Sequence, residues 1–346
     1  MAAPASFAET VTRAGFDHLP FDDVAPHLLG PVFASLSALS FDEANEVVIR
    51  EVFGRLDARA ALPGVRRAIR SWQPDLVLRE TAEVASYVAA EADGIPHVQV
   101  DVSLSSFVDY WALLEEPLME LGAEPGLNSL RTAPRLSLIP PSLDGVAGSG
   151  STSVARFRED VRPEARSLPD WWSGSRDPLV YLTFGTVTAG LADFGKLYPA
   201  VLDVLADVPV RVLLTTGRGF DVESLGALAG NAHVEHYWPQ REVMPHAAAM
   251  IAHGGLGTTL LGLSAGVPMV ILPLFADQLH NADRVADLGA ALVAHGGLDG
   301  IEQLPSALHG ILTEDSYAAR ARECADEIAR LPPVSHAVPA LEELIA

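Results

Sequence analysis

The apolar positions of this chain come in short runs that alternate with stretches of helical spacing. Residues 8–15 read as a short helix, with Phe7, Val11 and Ala14 at helical intervals. Residues 41–68 are rich in helix formers, 74–80 form a strand ending in acid, 83–92 are helical, and 97–100 are another strand after the Gly94-Ile-Pro96 turn. Alternation of this kind predicts a parallel sheet with crossover helices. Composition shifts over 142–178, where prolines and a Gly148-Ser-Gly-Ser-Thr-Ser153 run mark a linker region. Residues 179–184 then open a second α/β region, with further strands at 210–215, 233–238, 248–252 and 269–274. A helix over 258–265 is stopped by Gly266-Val267-Pro268, residues 315–330 are helical, and 338–345 form a last short helix.

Composition narrows the function. The 346 residues suit two domains, and 49% hydrophobic residues are ample for their cores. A net charge of −22 argues against nucleic acid and anionic membranes, which need basic faces. Cys324 is the single cysteine, which excludes an internal disulfide framework and metal-thiolate clusters and fits a reducing cytoplasm. Residues 1–15 lack the basic start and apolar core of a signal peptide. Residues 243–276 hold no charged side chain, but histidines, glycines and prolines cut them into pieces too short to span a membrane.

Chemistry concentrates in residues 237–281. The strand at 248–252 runs through His253-Gly254-Gly255-Leu256-Gly257 into a helix. Such a turn gathers free backbone amides and a positive dipole end at one point, a site for an anion and most naturally for phosphate. The glycines admit a diphosphate close to the backbone, and Thr258 and Thr259 add hydroxyl donors. A tight turn with no ligand explains the glycines equally well. The loop has neither the lysine of a P-loop nor the spacing of a dinucleotide fingerprint. Neither a His-Glu-x-x-His motif nor a paired-carboxylate spacing points to a metal.

Five segments together resemble the donor-binding signature of the family 1 glycosyltransferases: Tyr237-Trp238-Pro239-Gln240, His253-Gly254-Gly255, Gly257-Thr258-Thr259, Ser264 to Pro268, and Asp277-Gln278. Within the family the likeness is to actinobacterial enzymes that glycosylate polyketides and other natural products. The resemblance implies two facing Rossmann-like domains of GT-B type, with the donor in the interdomain cleft. It gives an acceptor domain at 1–145, a linker at 146–177, a nucleotide-sugar domain at 178–325, and a helical segment at 326–346 returning to the first domain. The implied reaction is inverting, metal-independent transfer of a sugar from a nucleotide-sugar co-substrate to a hydroxyl of a hydrophobic natural product, with no cofactor. On the same basis His253, Gly254, Gly255, Gly257, Thr258 and Thr186 hold the diphosphate. Tyr237 and Trp238 flank the base, Gln240 meets the nucleoside sugar, and Asp277 and Gln278 meet the donor sugar. Phe107, Tyr110 and Trp111, in the aromatic-rich stretch 103–121, form a candidate acceptor wall, although helix packing would account for each taken singly.

Two departures carry weight. UDP-using relatives have a Glu, three residues after the hydroxyl residue of the loop, that accepts from both ribose hydroxyls. Leu261 stands there. Leucine would leave a buried 2′-hydroxyl unpaired, at about 1–3 kcal/mol, so a dTDP-sugar is expected over a UDP-sugar. The family's first strand, the loop that carries its catalytic histidine, and its first helix have no counterpart here. An N-terminally shortened form is the favoured reading, and loss of the base the other. Glu80 matches the acid that orients that histidine, though the family more often has Asp. The rival functions are a non-catalytic helper that binds and activates a partner enzyme, and a sugar-nucleotide epimerase of the same architecture. A homodimer is compatible with either.

Overall fold

A computed structural model describes residues 1–36, 38–105, 110–145, 154–160, 167–186, 188 and 195–345. The chain is α/β and divides into two compact units. The first holds Met1–Leu138, Ala147–Phe157 and Pro333–Ala346, and the second holds Ile139–Val146 and Arg158–Pro332. The long helix Asp315–Arg330 therefore stays with the second unit, and the returning segment starts at Pro333 rather than at 326.

Among the described residues, six strands belong to the first unit: β1 (Ala2–Pro4), β2 (Leu19–Phe21), β3 (Val77–Glu80), β4 (His97–Val100), β5 (Arg135–Ser137) and β6 (Val154–Arg156). They form two separate parallel sheets, β1-β2 and β3-β4-β5-β6. The helical expectation for 41–68 resolves into three joined pieces. Helix Phe41–Val47 starts from a capping box in which Ser40 and Glu43 satisfy each other's backbone amides. Val48–Asp57 is a π-helix, and Ala58–Trp72 continues as α-helix to Gln73, whose left-handed φ of 54° ends it. Gly54 lets the helix Tyr110–Glu120 close in, since a Cβ there would lie 2.8 Å from Leu114. Gly64 plays the same part for β2, because a Cβ would drive into Phe21.

The second unit has one six-stranded sheet: β7 (Leu179–Thr183), β8 (Arg211–Thr215), β9 (Ala232–Glu235), β10 (Ala247–Ala252), β11 (Met269–Ile271) and β12 (Ala291–Val293). Its order is β12-β11-β10-β7-β8-β9, parallel throughout. β7, β8, β10 and β11 read as near-continuous apolar runs because helices cover both faces of such a sheet. Building starts at β7, moves outward through β8 and β9, then returns to place β10 on β7's other side. The reversal puts a topological switch point between β7 and β10, and open α/β sheets form ligand crevices at the carboxyl ends of such a pair.

Three expected boundaries shift. The strand expected at 233–238 ends at Glu235, and the chain turns out before Trp238 and Pro239. The strand expected at 269–274 ends at Ile271, two residues before Pro273, which has no amide for a ladder. The glycine-loop helix starts at Leu256, inside the expected loop. Phe107 and residues 148–153 of the expected linker lie outside the described residues. No helix among the described residues is long and apolar enough to cross a membrane.

Candidate functional site

The switch point is where the glycine loop falls. Ala252 of β10 pairs with Thr183 of β7, so the loops that follow these two strands lie side by side. After β7 come Gly185, with φ 75°, and the exposed Thr186; the Thr188 hydroxyl closes that turn by donating to the Phe184 carbonyl at 2.7 Å. After β10 come His253, Gly254 and Gly255, then the helix Leu256–Ser264, whose N-terminus has no side-chain cap and no acid in its first turn. Gly254 has φ 89°, and a Cβ there would strike the Gln278 carbonyl at 2.7 Å. Both facts demand glycine. Gly257 and Thr258 stand in the helix's first turn, Gly257 fully open and Thr258 half-buried. The open first-turn amides and the positive helix end face the crevice.

His253 is held between two glycines. A Cβ on Gly185 would approach its ring to 2.9 Å, and a Cβ on Gly255 would overlap Nε2. The ring is buried, and burial brings its pKa down to about 4, so it is neutral near pH 7. It donates to the Thr183 backbone carbonyl while Nδ1 meets no protein partner, which assigns the bond to Nε2. The neutral ring has a single N–H, and Thr183 takes it.

Asp277 and Gln278 begin the helix Gln278–Asp287, beyond β11. The Asp277 carboxylate, whose pKa burial raises, accepts from Asn281 Nδ2 at 3.0 Å. Gln278 is buried, and its Oε1 accepts from the amides of Leu274 and Phe275 at 2.9 and 3.1 Å, so only its Nε2 group remains for a ligand. Asn281 is a residue the sequence reading passed over. It is fully buried and also donates to the Gly254 carbonyl at 2.9 Å, tying Asp277 to the glycine loop. Its spacing of four from Asp277 on a helix was the available signal.

Past β9, Tyr237 is exposed and Trp238 half-buried with its indole Nε1 buried and unpartnered by protein. Trp238 meets Trp171 edge-on at 5.0 Å, and Trp171 stacks on His233 at 4.3 Å. Gln240 hydrogen-bonds the Tyr181 hydroxyl, which also lies 2.6 Å from Thr215 Oγ1, so this segment is fixed to β7 and β8. Leu261 is half-buried, one turn into the glycine-loop helix. The structure thus gathers Thr186, His253, the glycines and Thr258 at one crevice, with Asp277 and Gln278 linked to it through Asn281.

In the first unit, Glu80 ends β3 and accepts from the Ala82 amide at 2.7 Å, with its pKa raised by burial. It lines a cavity of about 380 Å³ with Glu83, Asp57, Asp22 and Asp23, and among the described residues no histidine lines it. Tyr110 and Trp111 meet edge-on at 5.3 Å and pack, half-buried, against the core that contains Leu114 and Leu118. His97 is buried against Tyr87, and burial lowers its pKa to about 4.

Similar proteins settle the family. The erythromycin biosynthesis protein CIII-like C-terminal domain family matches residues 199–344. L-demethylnoviosyl transferase of Streptomyces niveus is 30% identical over 79% of this chain and 72% of its own length. Elloramycin glycosyltransferase ElmGT of Streptomyces olivaceus is 32% identical over 82% of this chain and 71% of its own. The chain belongs to the family 1 natural-product glycosyltransferases. In fold, it superposes on spinosyn rhamnosyltransferase SpnG complexed with thymidine diphosphate at a TM-score of 0.78, with 20% identity over 99% of this chain and 91% of that one. The protein is a GT-B glycosyltransferase.

Proposed function

We propose that this glycosyltransferase takes its sugar from a dTDP-sugar and delivers it, with inversion and without a metal, to a hydroxyl of a hydrophobic natural product such as a polyketide. One observation carries the reading. At the β7–β10 switch point the uncapped helix start at Gly255 and Leu256, the pinched His253 and Thr258 offer a leaving diphosphate several positive partners. Such pre-set donors stabilise charge as it develops on the leaving group, which is the main electrostatic task in this reaction. An incoming diphosphate raises the His253 pKa, and the protonated ring gains a second N–H, at Nδ1, for a phosphate oxygen while Nε2 keeps its bond to Thr183. Trp238 and Tyr237 take the base, Gln240 the nucleoside sugar, and Asp277 with the Nε2 of Gln278 the hexose hydroxyls. The half-buried apolar Leu261 favours a nucleoside without a 2′-hydroxyl. Tyr110 and Trp111 supply aromatic surface to the acceptor, and Glu80 orients the group that removes its proton.

Calorimetric titration with dTDP and, separately, UDP tests the reading. Tighter binding of dTDP supports it; binding of neither nucleotide overturns it.

A further inference from the structure

The crevice at the β7–β10 switch point is short of positive charge. The protein carries a net charge of −22, and burial keeps His253 neutral near pH 7. The backbone amides, the helix end and Thr258 supply only dipoles. A diphosphate brings two or more negative charges into this field, and a permanent cation within reach would offset them. Three Lys or Arg side chains follow β7, β8 and β9 among the described residues, before or at the start of the next helix: Lys196, Arg218 and Arg241. Arg241 is engaged by Glu159. Lys196, the sole lysine of the chain, and Arg218 are exposed, and their side chains have neither an ion pair nor a hydrogen bond among the described residues.

Arg218 stands where the backbone is fixed on both sides. The Thr216 amide donates to the Glu235 carbonyl at 3.1 Å, and the Gly217 amide to the His236 carbonyl at 2.9 Å. The exit of β8 thus runs beside that of β9 up to the residue before Tyr237, which is 66% exposed. From the helix Leu197–Leu205, which follows β7, the Tyr198 hydroxyl donates to the Thr216 carbonyl at 2.9 Å, and its ring lies 4.5 Å from that of Phe220. Gly217, with φ 81°, then turns the chain into Arg218.

Sheet order sets the distances. The glycine loop and Thr186 follow β10 and β7, Arg218 follows β8, and Tyr237 follows β9, in the spatial order β10-β7-β8-β9. Neighbouring strands are about 4.8 Å apart, so a nucleotide laid from the β7–β10 notch to the residues after β9 covers about 12 Å and passes the exit of β8 about 7 Å from the notch. The part that passes there is the pentose with its α-phosphate. The pentose offers a cation no charge, whereas the α-phosphate offers two oxygens that match the guanidinium fork. We propose that Arg218 binds the α-phosphate of the donor's diphosphate. The inference rests on the nucleotide-sugar reading above and adds a permanent cation to it. The amides and Thr258 at one phosphate and Arg218 at the other then share the charge that develops as the diphosphate leaves. Because Arg218 is exposed, its own charge carries no burial penalty before the nucleotide arrives.

The test compares the full chain with its Arg218→Gln, Arg218→Lys and Lys196→Gln variants by calorimetric titration with dTDP and with dTMP. Arg218→Gln should weaken both nucleotides about tenfold or more, since both carry the α-phosphate, and Arg218→Lys should recover part of the loss. Thymidine, followed by ligand-observed NMR, should bind the wild type and Arg218→Gln alike. Lys196→Gln removes the same charge two residues before Tyr198 and should change dTDP affinity less than about threefold. Wild-type binding of dTDP that Arg218→Gln leaves unchanged overturns the inference alone. An equal loss from Lys196→Gln overturns the direct contact, because a diffuse field would then account for both. A loss that extends equally to thymidine assigns Arg218 to the nucleoside and overturns it as well. Absence of dTDP binding by the wild type overturns the nucleotide reading, and the inference with it.

Discussion

Gly255 sits so close to the imidazole of His253 that a single methyl group at this position would overlap Nε2. Its φ of −61° is open to any residue, so the need for glycine comes from the ring and not from the backbone. Gly255→Ala should therefore displace the ring from Thr183 while the helix Leu256–Ser264 persists. Calorimetry should show dTDP affinity falling about tenfold or more, and circular dichroism should show native secondary structure. Unchanged affinity would remove His253 from the binding account.

Neutral His253 has a further consequence. With a pKa of about 4 from burial and a raised one beside a diphosphate, the ring should take up a proton on binding in the pH window between those two values. Binding heats measured in buffers of different ionisation enthalpy report that uptake. Because the terminal phosphate also titrates, the informative quantity is the difference from His253→Gln. We expect the wild type to take up more protons than the variant near pH 6; equal uptake would falsify the protonation step.

On the proposed dTDP reading, Leu261→Glu adds an acceptor for a ribose 2′-hydroxyl. The ratio of kcat/KM for a UDP-sugar over the matching dTDP-sugar should rise by about tenfold, the scale of one buried hydrogen bond. A ratio that does not move would count against the ribose argument and leave the diphosphate site intact.

Asn281→Ala strips the Gly254 carbonyl and the Asp277 carboxylate of their shared donor. The unpaired carbonyl costs about 1–3 kcal/mol, visible as a lower midpoint in urea. Because Asp277 loses its anchor, KM for the sugar donor should rise more than the affinity for dTDP alone falls. Equal losses would place Asn281 in a purely structural role.

Asp57 gives a pH signature. Its folded pKa of about 6 lies above the ordinary 3.8, so above pH 6 its charge opposes folding, and the opposition fades as pH falls through 6 toward 3.8. Burial is the larger cause, and the nearby Asp23 carboxylate adds repulsion. Asp57→Asn should raise Tm at pH 7.5, and the gain should be gone by pH 4. A gain that is the same at both pH values would point to packing instead of charge.

The second unit was largely legible in the sequence, because buried parallel strands are apolar runs and the glycine loop has a fixed position after one of them. Its strand ends were less so: the expected strand at 233–238 ran too far because aromatic residues suit strands, while Pro239 and the outward turn decided otherwise. The place of His253 after a strand could be read from the sequence, but its neutral state could not, since the contact with Thr183 depends on how β10 lies against β7. In the first unit the short strands β5 and β6 escaped notice because three residues carry little periodicity. The division into two sheets was equally hidden, since pairing between distant segments leaves no local trace.

Trp171 and Trp172 precede β7, yet they belong to one aromatic group with His233 and Trp238. Three of the five tryptophans in the chain are thus in ring contact at the proposed base-binding wall. Excitation absorbed by any one indole of such a group migrates readily to the others. A nucleobase laid on Trp238 would quench emission from all three, while Trp72 and Trp111 in the first unit would supply a steady background. On the proposed donor reading, tryptophan emission becomes an internal optical gauge of donor occupancy.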